Sequence, residues 1–181
     1  MGPRVGPGVA FSDVSELVTV LSDDAIAATL VPGVLVPIEV SRHFRIEPEI
    51  GGFRNSSTLS QSLGIPGGLP SSTRAYAFLR AGTGAFLLTS KDRVTVYYGG
   101  RAAYLRYTQS ASGSSSYTYP TIPGKMFAPA VGAEFRLSDY FRLGGEVQLR
   151  FTSWETSSTS PSTITGNSVS TRGSLNMRFY F

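Results

Sequence analysis

Across residues 140–151 the chain alternates strictly, with Phe141, Leu143, Gly145, Val147, Leu149 and Phe151 on one side and Arg142, Gly144, Glu146, Gln148 and Arg150 on the other. Period two marks a β-strand, whose successive side chains point to opposite faces. The same alternation runs through 131–137, where Val131, Ala133, Phe135 and Leu137 oppose Gly132, Glu134 and Arg136. It recurs in 44–50, where Phe44, Ile46, Pro48 and Ile50 oppose Arg45, Glu47 and Glu49, and in 175–181, where Leu175, Met177, Phe179 and Phe181 oppose Asn176, Arg178 and Tyr180. Weaker alternation predicts four further strands over 4–11, 28–40, 74–88 and 93–107, making eight in all.

The connections between these strands are of two kinds. Ser41-Arg42-His43, Ser90-Lys91-Asp92 and Ser138-Asp139 read as tight turns, built on turn-forming Ser and Asp. The other four, over about 12–27, 55–73, 108–123 and 152–170, are long, and short and long strictly alternate. Strands that run up and down in order then place all the tight turns and both termini at one end, and all the long loops at the other. Three of the long connections are rich in Ser, Thr, Gly and Pro, a composition that reads as solvated, mobile loop. Loops of this length argue against a compact soluble domain and are ordinary on the rim of a membrane barrel.

One face of the eight strands collects Arg4, Glu39, Arg45, Glu47, Glu49, Arg80, Arg101, Glu134, Arg136, Arg142, Glu146, Arg150 and Arg178, thirteen of the 28 charged residues. Two arrangements fit such a sheet closed into a barrel. In a soluble carrier of the lipocalin kind the apolar face lines a ligand cavity and the charges meet water; in a membrane barrel the charges fill the lumen and the apolar face meets lipid. Two features favour the second. Gly6, Gly8, Gly33, Gly51, Gly82, Gly84, Gly99, Gly132 and Gly144 share the charged face, leaving room for long side chains in a narrow lumen. Among the basic residues Arg outnumbers Lys fourteen to two, and the planar guanidinium suits enclosed pairing with carboxylates. Aromatic residues fall near strand ends, as interfacial girdles do: Phe44, Tyr140, Phe141 and Phe181 toward the turns, and Tyr104, Tyr107, Phe127, Phe151 and Trp154 toward the loops.

Composition agrees with this picture. Of 181 residues only 15% are charged, against about 25% in ordinary soluble domains, while 41% are apolar, too rich for a disordered chain. No run of residues is long and apolar enough for a transmembrane helix; the longest candidate, 25–40, is broken by Pro32, Gly33 and Pro37 and carries Glu39. There is no cysteine, which removes disulfides, thiolate zinc sites and cysteine nucleophiles. The net charge of +4 is not a nucleic-acid footprint, because the basic residues form no cluster and alternate with apolar ones. The opening MGPRVGPGVAF has no apolar core followed by a small-residue cleavage site, so no signal peptide is expected within this chain.

VGAEFRLSDYFRLGGEVQLRF, VPIEVSRHFRIEPEIGGF and the terminal SLNMRFYF resemble the eight-stranded outer-membrane β-barrels of Gram-negative bacteria, of the OmpX and OmpA type. The resemblance is one of pattern and covers essentially the whole chain. It implies one all-β domain over residues 1–181, an antiparallel up-and-down transmembrane barrel with a polar lumen, lipid-facing apolar exterior, short periplasmic turns and long extracellular loops, in the outer membrane. In that family the last strand ends in Phe behind alternating apolar residues that the barrel-assembly machinery recognises; Leu175, Met177, Phe179 and Phe181 match the pattern. The expected partners are outer-membrane lipid, that machinery, and surface ligands reached through the loops, with no nucleic acid and with the chain a monomer.

Catalytic chemistry finds little support. Eight-stranded outer-membrane enzymes that acylate or deacylate lipid A resemble this architecture, but the lone His43 sits in a tight turn opposite the long loops, and the loop serines have no base beside them. Phosphate-loop, metal-ligand and nucleophile-elbow patterns are absent. Glu47 and Glu49 share a face, and their neutralisation by Arg45 and other lumen arginines is the expected state. No cofactor, metal or catalytic residue is therefore assigned. Eight strands leave an interior just wide enough for side chains, so the thirteen charges are expected to plug it as a structural network; a narrow small-solute pore and a soluble carrier are the alternatives. The acidic residues Asp13, Glu16, Asp23 and Asp24 of the first loop read as a solvated cap, and Asn55-Ser56-Ser57 as an unused sequon.

Overall fold

The computed structural model describes residues 4–5, 8–13, 30–59, 72–112, 117–118, 121–157 and 163–180. Eleven strand segments follow one another: β1 (Arg4–Val5), β2 (Gly8–Asp13), β3 (Leu30–Leu35), β4 (Ile38–Ser41), β5 (Phe44–Leu59), β6 (Ser72–Lys91), β7 (Val94–Ser112), β8 (Tyr117–Thr118), β9 (Ile122–Arg136), β10 (Phe141–Ser157) and β11 (Thr163–Phe179). They make eight staves, because β1 and β2 lie in series against β4 and β3, and β8 continues the stave of β9 along β7. Following the antiparallel pairings from β5 through β6, β7, β9, β10, β11, β2 and β3 returns to β5, so the sheet closes on itself. Closure leaves no unpaired edge, the condition for a sheet to cross a bilayer. The eight predicted strands are all present.

The turns fall where Ser and Asp predict them. Lys91 pairs with Val94 across a two-residue turn in which Asp92 has φ 54°, a left-handed conformation that Asp tolerates better than most side chains. At the β9–β10 turn the Ser138 hydroxyl accepts from the Tyr140 amide at 3.3 Å. The Tyr180 amide donates to the Tyr140 carbonyl at 2.9 Å and Arg4 pairs with Glu39, so both ends of the described chain lie at the turn end.

The strands run further than the hydrophobic pattern implies. Segments 55–59, 108–112, 152–157 and 163–170, read from composition as mobile loop, continue β5, β7, β10 and β11 as paired strand. Backbone pairing needs no apolar side chain once the wall leaves the bilayer, and Thr is itself a good strand former. Residues 12–13, 72–73, 117–118 and 122–123 of the long connections are strand as well, and 14–27, 60–71, 113–116, 119–120 and 158–162 lie outside the described residues. At ~3.3 Å per residue and a tilt of ~40°, the 20-residue β6 rises about 50 Å along the axis, twice the ~25 Å of an apolar membrane band.

That band is sharply bounded. Outward positions are apolar or small up to Ile50 and Gly52 on β5, Tyr104 on β7, Phe127 on β9, Phe151 on β10 and Val169 on β11, and the next outward residues are Arg54, Arg106, Lys125, Ser153 and Asn167. Tyr104, Phe127 and Phe151 form the aromatic border at the loop side, with Phe127 57% exposed. Tyr140, Phe44, Phe141 and Phe179 border the turn side, Phe141 stacking on Phe179 at 4.9 Å between centroids. Tyr107 and Trp154, expected in the girdle, point inward instead and are 4% and 5% exposed. Their parity explains it: Tyr107 shares the face of Arg101, and Trp154 that of Arg150. Phe181 lies outside the described residues.

Candidate functional site

The charged face points into the barrel. Near the turn end Glu134 of β9 collects three guanidiniums: Arg45 and Arg142 on Oε1 at 2.8 and 2.9 Å, and Arg178 on Oε2 at 2.9 Å. Glu47 of β5 is the second hub, holding Arg45 at 2.7 Å, Arg101 at 2.7 Å and Arg178 at 3.0 Å. Arg142 also donates to Glu39 at 2.6 Å. Aromatic rings fill the space between, with the guanidinium of Arg45 4.6 Å from the Tyr97 ring centre and that of Arg142 4.4 Å from that of Tyr180.

Arg101 of β7 joins this layer to the next. Its Nε and Nη2 grip Glu146 of β10 at 2.7 and 2.8 Å, its Nη1 reaches Glu49 at 2.8 Å and its Nη2 reaches Glu47 at 2.7 Å. The fork geometry of guanidinium makes this possible where an ammonium would not serve. Gln148 adds a hydrogen bond to Glu146 at 2.6 Å. Above lie Arg80, Arg150 and Arg172, all buried, with Arg80 3.4 Å from Glu49.

Closer to the loops the lumen changes character. Phe78, Ala103, Leu105, Tyr107, Met126, Ala128 and Trp154 form a buried apolar cluster, extended by Phe53, Tyr76 and Ile122. Gly124 lets Trp154 lie against the wall, since a Cβ there would meet the indole at 2.5 Å. The lumen is thus filled twice over, by a salt-bridge layer toward the turns and by an apolar plug toward the loops.

Of the thirteen predicted lumen residues, Glu39, Arg45, Glu47, Glu49, Arg80, Arg101, Glu134, Arg142, Glu146, Arg150 and Arg178 face inward. Arg136 does not join the network: it sits at the turn end and donates to the Asp92 carbonyl at 3.4 Å, because its level is already open to water. The Arg4 side chain lies outside the described residues. Gln148, Asn176 and Tyr180, which the alternation places on this face, also line the network, and so do Tyr97 and Arg172, which were not singled out although parity with Arg101 and Arg178 carries the signal for each. The apolar plug was missed too, because the charged residues drew the lumen as polar throughout. Leu175, Met177 and Phe179 alternate outward along β11. His43 is exposed in the β4–β5 turn, its amide donating to the Ser41 hydroxyl at 3.2 Å. No group of three His, Cys, Asp or Glu that would hold a metal occurs among the described residues.

A closed eight-stranded sheet with buried ion pairs inside and an apolar belt outside defines the chain as an outer-membrane β-barrel by fold. Its whole length matches solved structures of that class: Neisserial surface protein A, at a TM-score of 0.58 and 16% identity over 100% of this chain and 98% of that one. It also matches Ail, the attachment invasion locus protein of Yersinia pestis, solved in complex with the heparin analogue sucrose octasulfate, at a TM-score of 0.52 and 12% identity over the full length of both. No protein-family model matches the chain, and no curated protein matches it in sequence. The likeness is therefore one of architecture.

Proposed function

We propose that this protein is a non-catalytic, non-conducting outer-membrane barrel that serves as a rigid platform for contacts at the cell surface. The observation that carries the reading is the combination of a doubly filled lumen with a wall that runs as paired strand well past the apolar belt. A channel would need the interior that the side chains occupy, whereas a platform needs the stiffness they supply. Just above the belt, Arg54, Arg106 and Lys125 point outward, at the height where lipid head groups carry their phosphates. Beside Lys125 a shallow groove of about 380 Å³ runs between Phe127, Phe151 and Val169, a fit for an acyl chain. These features support outer-leaflet lipid as the first partner. The outward apolar residues Leu175, Met177 and Phe179 support recognition of the last strand by the assembly machinery. The sulfated sugar held by Ail makes an anionic surface glycan the first extracellular ligand to try.

The test has two arms. The purified barrel, compact in SDS until boiled, gives no discrete current steps in planar bilayers; steady unitary conductance would overturn the platform reading. Bacteria displaying the full chain bind heparin-coated beads or cultured cells more than bacteria displaying a variant with residues 60–71 and 158–162 shortened. Equal binding would leave the barrel without a surface-contact role.

A further inference from the structure

The lumen charges do not balance level by level. The five inward carboxylates Glu39, Glu47, Glu49, Glu134 and Glu146 all contact an arginine at 3.0 Å or less, and four arginines (Arg45, Arg101, Arg142 and Arg178) suffice for this. Arg80, Arg150 and Arg172 come in addition, so the described inward side chains carry more positive than negative charge. Arg172 makes a further contact of its own, which leaves Arg80 and Arg150 as the two guanidiniums to be satisfied. Among the described residues Arg80 approaches one carboxylate, Glu49, whose Oε1 lies 3.4 Å from its Nε while Oε2 accepts from Arg101 at 2.8 Å. Arg150 has no carboxylate within 4.0 Å among the described residues; it donates from Nε to Gln148 at 2.8 Å, and its Nη2 is buried without an acceptor. The Nε of Arg80 is likewise buried and unsatisfied.

The position is closed off from bulk water. Arg150 is 8% exposed and Arg80 5%; the salt-bridge layer lies below them and the Phe78–Leu105–Met126–Trp154 plug above. A lysine here would shed its proton, but guanidinium keeps its charge under all ordinary conditions, so the excess must be met by an anion rather than by titration. Of the inward residues on the strands between Arg80 on β6 and Arg150 on β10, Ala103 and Ala128 are small and leave space beside the two long side chains.

We propose that the barrel holds a small inorganic anion of the chloride class between the guanidiniums of Arg150 and Arg80. The cationic surplus sets the sign of the ligand, an anion. The narrow lumen sets the size, and a spherical halide accepts N–H donors from any direction.

The test uses the full chain refolded in lipid vesicles, with sodium gluconate exchanged for sodium chloride or bromide at constant ionic strength. Urea unfolding is followed through Trp154, the one tryptophan of the chain. Above its dissociation constant, each tenfold rise in chloride lowers the unfolding equilibrium constant about tenfold, and bromide acts alike. Arg150→Met abolishes this dependence, Lys125→Met on the outer surface retains it, and bromide-soaked crystals show an anomalous peak beside Arg150. Arg80→Met serves as a second lumen variant should Arg150→Met fail to fold. Identical unfolding in gluconate and chloride, or an unchanged halide response in both lumen variants, overturns the proposal.

Discussion

Deleting the Arg101 guanidinium tests the salt-bridge layer most directly. Arg101→Met keeps an unbranched stem against Phe86, whose ring the guanidinium overlies at 4.8 Å, and removes four hydrogen bonds to three carboxylates. The losses are unequal. Glu47 keeps Arg45 and Arg178, and Glu49 keeps Arg80, but Glu146 is left with Gln148 alone. The cost is therefore chiefly that of one uncompensated charge in a closed lumen, about 3 to 5 kcal/mol. Glu146→Met leaves Arg101 with two other carboxylates and costs less, about 1 to 3 kcal/mol, the desolvation loss of donors left unpaired. The double variant removes the orphaned charge, so its stability lies above that of Arg101→Met, with a coupling of about 2 to 3 kcal/mol. Urea unfolding in vesicles, read through Trp154, measures all three, with Asp139→Ala in the exposed β9–β10 turn as a reference expected to change stability by less than about 0.5 kcal/mol. Additive effects for Arg101 and Glu146, or a loss for Arg101→Met no larger than for Asp139→Ala, would refute the reasoning.

The belt boundary predicts that Val147→Arg, on the lipid face of β10, costs about 2 to 4 kcal/mol, whereas Ser153→Arg, three outward positions nearer the loops, is close to neutral; urea titration in vesicles separates them. Trp154→Ala empties the centre of the plug and lowers stability by about 3 to 5 kcal/mol, measured by the temperature at which the compact SDS band is lost. Gly132→Ala sets a methyl against the Tyr97 ring, whose hydroxyl receives Asn176 and Arg178, and destabilises by about 1 to 3 kcal/mol on the same gel. A change below about 0.5 kcal/mol there would mean that Tyr97 has room to move.

Alternation along single strands already separated inward from outward residues, because a pleated backbone leaves no other choice. The eight strands, the tight turns at Ser and Asp, and eleven inward charges were legible from that rule alone. Height was not. Where the bilayer ends, a Ser- or Thr-rich stretch is free to stay paired, so the strand continuations at 55–58 and 165–168 carried no apolar signal. Nor does parity say what an inward residue meets. Arg101 finds Glu47 and Glu49 on β5 and Glu146 on β10, neither of them a neighbour of β7 in the sheet, and only closure of the barrel brings them across the lumen. Tyr107 and Trp154 show the same limit from the other side: their sequence positions fit an aromatic girdle, and curvature of the closed wall gathers them into an apolar plug. Which face each residue takes was thus a property of the chain. Which partner it has there, and whether its charge is matched, was decided by the ring of strands, because pairing across a lumen depends on stagger and closure that no local pattern encodes.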